Sequence, residues 1–275
     1  MLYKHVIVNQ LKEIIMKTKL LLYLFIGFYS LSNLAQSSES FNNSGTFTVP
    51  GGVSEITIEA WGGGGAGSSS DIGAVGGGGS GAYSKSTITN VKPGDKFDIT
   101  VGDGGKPDTG AFNSPGKVDG GDSHVTNENS TVIILAEGGK SVKINETDGA
   151  KGGLATNGIT TGTPSDKVKG NDGSPSGTDS GKGGNAPKGG GIGGNSVSID
   201  NPGEDGTSPG GGGSGAASSQ GKLGGEGANG RVVITYTRII QIADGDFDVA
   251  SNWNNDDLPS SPDNFAAIDE GVTST

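Results

Sequence analysis

The sequence contains no cysteine and only two histidines in 275 residues. Without cysteine, disulfide bonds, thiol nucleophiles, thiolate-bound zinc and a lipid anchor on an N-terminal cysteine are all excluded. One histidine, His5, lies in a leader-like segment, which leaves His124 as the only histidine of the remaining chain. A metal centre that needs several histidines therefore cannot form within one mature chain.

Apolar and aromatic residues are also scarce, at 30% and 5% of the chain. A large conventional core cannot be built from them, and long amphipathic helices are not expected. Glycine fills the gap: it accounts for 55 of the 275 residues, whereas an average protein has about 7% glycine. This composition would also suit a disordered Gly/Ser linker, which is one alternative to a folded domain.

The first 35 residues are typical of a secretory leader preceded by an extension. Met16 is the predicted start, Lys17 and Lys19 form a basic region, and an apolar run covers residues 20–29. Cleavage is predicted after Ala35. The alternative is a retained membrane anchor, but the apolar run is too short to span a bilayer. We therefore predict an extracellular or cell-surface location, with no membrane contact after the leader is removed.

The charge of the mature chain is strongly acidic. Removing residues 1–35 removes four lysines and one glutamate, which takes the net charge from -11 to -14. Nucleic acids and anionic membranes attract basic surfaces. The acidic net charge therefore argues against nucleic acids and anionic membranes as partners.

Six short runs alternate apolar and polar residues, as half-buried strands do. They lie at 46–49, 55–61, 82–88, 96–101, 131–136 and 231–237. We predict an all-β fold of short antiparallel strands combined with a glycine-rich bundle, with no helix in the mature chain. The expected core consists of Phe47, Ile56, Ile58, Phe97, Ile99, Ile134, Val233 and Tyr236.

No comparable strand is predicted between 136 and 231, but glycine recurs there at every third position. The eight glycines of the clearest series are Gly203, Gly206, Gly212, Gly215, Gly221, Gly224, Gly227 and Gly230. A three-residue period is that of the polyproline II conformation, which has no internal hydrogen bonds. Such segments must bond to their neighbours, and glycine lets the backbones come close enough. We predict a polyglycine II bundle in which these glycines are structural. Collagen is excluded, because the period is not sustained and proline is too rare.

Three stretches carry a resemblance to a known family. They are FTVPGGVSEITIEAWGGGG, KPGDKFDITVG and GANGRVVITYT. In this order they resemble the glycine-rich domain of secreted bacterial surface proteins, which is similar to the receptor-binding tip of some bacteriophage tail-fibre adhesins. The resemblance covers residues 45–237. It implies packed polyglycine helices with variable loops that contact a receptor. Residues 174–183 and 196–202 are more polar than this pattern, so a partial bundle is expected.

The predicted organisation has four parts. Residues 1–35 are the extension and signal peptide, 36–43 a linker, 44–237 the glycine-rich domain, and 238–275 the incomplete start of a second β module. That last part, with Asn252 and Trp253, resembles modules that lead into β-helical surface regions. Another activity is expected to belong to whatever continues it.

Two glycine motifs imitate phosphate-binding loops. Gly62 to Gly67 matches G-x-G-x-x-G after a strand, but the residues that follow cannot open a helix. Gly139, Lys140 and Ser141 match the end of a P-loop, but Ile134 stands where its first glycine should be. We expect neither to bind a nucleotide, and no cofactor is predicted.

Two stretches resemble calcium loops. The first runs from Gly190 to Ser198, has asparagine in place of aspartate and occurs once, whereas such sites need stacked copies. In the second, Asp244, Asp246 and Asp248 have suitable spacing but lack the later glycine and glutamate. The alternative for these aspartates is a polar interdomain turn, and no metal site is predicted.

Asp122, Ser123 and His124 are adjacent, which argues against a catalytic triad, whose members come from separate elements. A half-exposed strand histidine is expected, and no catalytic residue is predicted. Trp61 and Trp253 could stack on sugars, but Trp61 is expected to cap the sheet core and Trp253 to pack within its own module.

The favoured hypothesis is a non-catalytic adhesive or structural module whose glycine scaffold presents loops to a cell-surface glycan or protein receptor. The predicted contact regions are the loops 102–121 and 156–179. One alternative is an accessory domain of a secreted polysaccharide-acting enzyme. Another is an ice-binding protein, based on Thr160, Thr161 and Thr163. A monomer is the default expectation, because no oligomerisation element is recognisable.

Overall fold

A computed structural model describes residues 36–109, 118–155, 164–238, 240–241 and 267–268. The described residues form short antiparallel strands and contain no helix, so the predicted all-β class is confirmed. No helix able to cross a membrane is found among them. The predicted leader, with Met16 and Ala35, and nearly all of the predicted second module lie outside these residues.

Two antiparallel sheets carry most of the strands. Sheet A consists of β1 (Gln36–Phe41), β3 (Glu55–Trp61), β5 (Tyr83–Thr89), β9 (Pro164–Val168) and β11 (Arg231–Thr237), in the order β1-β11-β3-β5-β9. Sheet B consists of β2 (Gly45–Thr48), β6 (Lys96–Thr100), β7 (Ser123–Asn127) and β8 (Val132–Ala136), in the order β2-β6-β7-β8. Two short pairs join β4 (Gly73–Ala74) to β10 (Ala217–Ser218), and β12 (Ile240–Gln241) to β13 (Ala267–Ile268).

Apolar side chains of both sheets pack into one core. We call the two sheets with this core the sandwich. Six predicted core residues are buried in it, namely Phe47, Ile56, Ile58, Phe97, Ile99 and Ile134, and Tyr236 packs against it partly buried. The prediction for Val233 was wrong, since Val232 and Ile234 face this core instead. Side chains alternate along a strand, so Val233 points to the other face, where it packs beside Trp61 and Tyr83.

All six predicted strands form with small shifts at their ends, but three longer strands were not anticipated. Residues 36–41, assigned to a linker, form β1 along β11. Strand β7 carries only Val125 into the core, and β9 pairs with β5 at the edge of sheet A. Polar strands such as β1 (QSSESF) have no apolar alternation for a sequence pattern to detect.

Three strands of sheet A continue without a break into the glycine-rich region. We call the resulting segments rods: the first is 55–70, the second 75–89 and the last 222–237. The pairing of β3 with β5 continues as the N–H groups of Gly62, Gly65 and Ser68 donate to the carbonyls of Ala82, Gly79 and Gly76. The pairing of β3 with β11 continues from Gly64 and Gly67 to Ala228 and Gly225, and ends at a bridge between Ser70 and Lys222. The sandwich and the glycine region therefore share a backbone framework.

Within the glycine region the backbone bonds repeat every three residues. The second rod shows this best, because each third N–H donates to the same neighbouring segment. Gly79 and Ala82 donate to Lys140 and Glu137, Gly77 and Ser80 donate to Ser174 and Asn171, and Gly78 and Gly81 donate to Gly213 and Gly210. The acceptors also step by three residues. This is the lateral bonding of a polyglycine II bundle, with three residues per turn and three bonded faces.

Close packing of these segments requires glycine. A Cβ added at Gly65, Gly78 or Gly213, for example, would lie less than 3.0 Å from backbone atoms of an adjacent segment. Neighbouring backbone cannot move aside, because it is held by bonds of its own. The stretches 174–183 and 196–202, expected to weaken the bundle, take part in it: Ser174 and Ser180 donate backbone bonds to Lys182 and Val197.

The segments run alternately away from the sandwich and back. The domain therefore has two ends, which we call the base and the tip. The base holds the start of β1 and the end of β11, where Gln36 pairs with Thr237. The tip holds the turns at the far ends of the glycine segments.

Replacing an interior glycine tests this packing. We expect Gly78→Ala to lower the free energy of unfolding by at least about 2 kcal/mol, because the new methyl group overlaps fixed backbone. Gly177→Ala is the matched control, since a Cβ there meets nothing within 4 Å. Denaturant unfolding followed by tryptophan fluorescence measures both. Equal stability of the two variants would contradict a close-packed bundle.

Candidate functional site

Five described turns form the tip. They lie at 71–73, 143–147, 175–179, 198–202 and 218–221. Their backbones connect them: Gly73 pairs with Ser218, Asn201 pairs with Ala217, and the N–H of Ser176 donates to the carbonyl of Thr147 at 2.8 Å. The turns therefore belong to one surface.

Bonds between turns hold the tip in place. The N–H of Asp71 donates to Asn145 Oδ1 at 3.0 Å, and Asn145 Nδ2 donates back to Asp71 Oδ1 at 2.7 Å. Asn145 and Asp200 adopt φ values of 62° and 66°, a conformation that asparagine and aspartate tolerate better than most residues. Asn201 Nδ2 donates to the carbonyl of Ser198 at 3.1 Å within its own turn.

The outer surface of the tip combines polar and aliphatic side chains. Ile72 and Ile199 are 61% and 62% exposed, and Leu223 beside the last turn is 51% exposed. The five turns contain serine, threonine, asparagine and aspartate but no aromatic residue. The tip thus offers hydrogen-bonding groups around a few exposed aliphatic side chains.

The two predicted contact loops are placed differently from one another. In 102–121, Lys106 and Val118 bond to each other and residues 110–117 lie outside the described residues. The stretch 156–179 divides into three parts: 156–163 is not described, 164–174 belongs to sheet A and the bundle, and only 175–179 reaches the tip.

Asp172 joins two glycine segments through a charged cluster. Lys151 Nζ and Lys169 Nζ each donate to its carboxylate at 2.8 Å, and the N–H of Gly152 donates at 3.0 Å. The bond from Lys151, followed by those from Lys169 and Gly152, holds the pKa of Asp172 well below its usual range. The same contact raises the pKa of Lys151. The cluster therefore favours an ionised carboxylate.

A cleft of about 260 Å³ opens at the base, between the turn after β5 and the turn joining β7 to β8. Its lining includes the buried apolar residues Ile88, Phe97 and Ile133 and the exposed polar residues Lys96, Glu128 and Asn129. Asn127 Oδ1 accepts bonds from the N–H groups of Asn129 and Thr131, which fixes one wall. The cleft lies at the end opposite the tip.

Seven of the eight predicted structural glycines lie where a Cβ would meet adjacent backbone. These are Gly203, Gly206, Gly212, Gly215, Gly224, Gly227 and Gly230. Gly221 instead lies in a tip turn with φ 77° and open space around it. The series is interrupted at two positions: Pro209 lies in the turn 208–210, and Ser218 lies in β10 at the tip.

The glycine motifs serve the bundle. Gly62 to Gly67 belong to the first rod, and Ser141 Oγ donates to the carbonyl of Val118 at 2.6 Å while accepting from the N–H of Ala66 at 2.8 Å. Gly190 to Ser198 cover a turn and an outer segment. No group of three potential metal ligands occurs in the described part of the chain. Asp244, Asp246, Asp248 and Trp253 lie outside it.

Trp61 lies at the end of β3, where the sandwich meets the bundle. It is 8% exposed, its Nε1 donates to the carbonyl of Pro187 at 2.9 Å, and its ring centroid is 5.0 Å from that of Tyr83. Burial, reinforced by a hydrogen bond to Glu59, raises the pKa of Tyr83. Trp61 is thus enclosed at the junction and has no open face for a sugar.

The three residues 122–124 are engaged in structure. The N–H of Gly138 donates to Asp122 Oδ1 at 2.9 Å, and the N–H of Gly102 donates to Ser123 Oγ at 3.0 Å. His124 is half-buried in β7, between β6 and β8. The side chains of Asp122 and Ser123 thus accept bonds from backbone N–H groups. Nothing in this arrangement brings them together with His124 as a catalytic unit.

Sequence reasoning missed the centre of the bundle. Three runs of four glycines, 62–65, 76–79 and 210–213, lie in segments that contact neighbours on all sides. Outer segments keep glycine only at positions that face inward. The signal was available: four consecutive glycines cover every face of a three-residue helix, whereas G-x-x-G covers one.

Comparison with known proteins places the chain in a family. The model of a family described as a glycine-rich domain matches residues 39–237, which is most of the chain. No curated protein matches the chain.

The Asp172 cluster gives a prediction about pH. We expect Asp172→Asn to lower the free energy of unfolding at pH 7 by about 1 kcal/mol or less, since the cluster is partly exposed. A pKa lowered by folding stabilises the fold above the ordinary aspartate range, and this contribution fades as the pH falls. The gap between variant and parent should therefore narrow below about pH 4. Asp179→Asn in a tip turn is the control, and a gap independent of pH would contradict the assignment. Chemical unfolding at several pH values measures it.

Proposed function

The chain belongs to the glycine-rich domain family, and from that membership we propose that it is a secreted, non-catalytic module of the cell surface that presents its tip to a receptor. One observation carries the proposal: the described domain begins and ends at the base, where Gln36 pairs with Thr237, and its turns gather at the other end. Both chain ends of the described domain therefore lie away from the tip turns.

The bundle suits a scaffold because its order does not depend on the turns. Interior segments are fixed by bonds between backbone groups, and buried serines add further bonds. Ser80 Oγ donates to the carbonyl of Asn185 at 2.9 Å, and Ser214 Oγ accepts from the N–H of Glu204 at 2.8 Å. Tip side chains that hold no other turn, such as the exposed Ile72 and Ile199, can therefore serve recognition without being needed for packing.

The chemistry of the tip favours a glycan or protein receptor. Hydroxyl, amide and carboxylate groups suit hydrogen bonding to sugars or to exposed peptide groups, and Ile72, Ile199 and Leu223 supply apolar contact. The acidic balance of the mature chain disfavours nucleic acids and anionic membranes. Residues 16–35 support secretion by their pattern.

The described residues give little support to the two alternative functions, ice binding and an accessory role beside an enzyme. An ice-binding face would be flat and uncharged, whereas outer segments of the bundle carry Lys151, Asp172, Lys182 and Glu204. The threonines proposed for it, Thr160, Thr161 and Thr163, lie outside the described residues. Nothing described here favours an accessory role beside an enzyme.

Amide hydrogen exchange tests the scaffold. In residues 36–237, we expect peptides from the segments 181–185, 210–217 and 222–230 to stay protected for minutes or longer at neutral pH, because most of their N–H groups are bonded. Peptides from the turn 175–179 should exchange sooner. Exchange of the whole tract at the rate of a free peptide would refute an ordered scaffold.

Blocking each end in turn tests the tip. Since the chain has no cysteine, Ile199→Cys at the tip and Glu128→Cys at the base can each be labelled with a maleimide polyethylene glycol. Binding is measured on a printed glycan array and on a panel of intact bacterial cells. We expect the tip label to reduce binding at least tenfold and the base label to leave it unchanged. Failure of the unlabelled chain to bind any probe, or equal loss with both labels, would contradict the proposal.

A further inference from the structure

The last rod connects the tip to the rest of the protein. It runs from Lys222 beside the tip to Thr237 at the base, and the chain continues from there. A force between a bound tip and the following residues must therefore leave the domain through β11.

Backbone bonds hold the last rod along its whole length. Near the tip, the N–H groups of Lys222 and Ser70 donate to each other's carbonyls at 2.9 Å, and further down Gly64 donates to Ala228 at 2.8 Å. In the sandwich, β11 pairs with β3 from Arg231 to Tyr236. Every bond in this series joins the last rod to the first.

On the other side of β11, β1 is the only neighbouring strand among the described residues. Six residues of β1 pair with β11, from Gln36 opposite Thr237 to Phe41 opposite Val232. This strand adds little to the core, since only Phe41 packs against it and four of its six residues are exposed. Without β1, the strand that leaves the domain would be an edge strand, bonded on one side only.

The direction of pull decides how these bonds are loaded. Strand β11 lies antiparallel between β1 and β3, with bonds perpendicular to the strands. Tension from tip to base acts along β11, so it loads the bonds on both sides together, in shear. Tension between Gln36 and Thr237 acts across the β1–β11 pair and opens its bonds one after another.

We propose that β1 is a tension clamp, whose function is to hold β11 when the tip is pulled against the rest of the protein. This role rests on the proposed adhesive function, because only a tethered, bound tip would carry load. Its mechanical basis does not need a receptor, so it can be tested separately.

Single-molecule force spectroscopy on the chain from residue 36 to 275 tests the clamp. Attachment through Ile199→Cys and the C-terminus applies tip-to-base tension, and attachment through Gln36→Cys and the C-terminus applies tension across β1 and β11. We expect the first rupture to need several times more force in the tip-to-base geometry. Rupture at equal or lower force in that geometry would overturn the clamp.

Two proline variants separate the clamp from general weakening. Along an antiparallel strand, successive N–H groups point alternately toward and away from the neighbour, so one of Ser37→Pro and Ser38→Pro removes a bond to β11 and the other does not. We expect one of the two to lower the tip-to-base rupture force clearly and the other to leave it near that of the parent. Identical forces for both variants and the parent would show that β1 carries no load. If the parent chain binds no glycan or cell but its rupture forces are those expected, the adhesive role is refuted and the clamp is not.

Discussion

The close approach of one backbone to another is the constraint on which this structure depends. Each bundle segment bonds to its neighbours through peptide groups, and at these distances a Cβ would overlap a neighbouring carbonyl at most bundle glycines. Glycine is flexible and loses more entropy on ordering than any other residue. The bundle also buries little apolar side-chain surface. The sandwich supplies that burial, and the three rods that run out of sheet A give the glycine segments a fixed starting position.

The sandwich and the bundle therefore depend on different residue types. Apolar side chains gather in the sandwich core and around Trp61. Inside the bundle, the largest recurring polar side chain is serine, which is small and whose hydroxyl can replace a missing backbone partner, as Ser141 does between Val118 and Ala66. Larger polar groups are left for the outer faces and the turns. Polar side chains larger than serine that are open to another molecule are therefore found at the tip, the base cleft or the flanks.

Much of the fold followed from local patterns in the sequence. Alternation located β3, β5, β6 and β11, and the three-residue period located the outer glycine segments. Strand β1 was not predicted, because its side chains are polar and its pairing partner lies almost 200 residues away. The tip was located only in part, since which turns meet there depends on how segments distant in sequence pack together. The turn 143–147 was not anticipated, because nothing in its own residues indicates that Asn145 lies beside Asp71.

The change of period from two in the strands to three in the bundle also governs which sequence changes the domain can accept. An insertion of one residue inside a rod would rotate every later glycine by about a third of a turn, and side chains would then face neighbouring backbone. An insertion within a tip turn leaves the register of both flanking segments intact. The bundle therefore tolerates insertions in the tip turns but not in the rods. For the receptor-binding tip proposed above, this means that the turns can change length while the scaffold keeps its register.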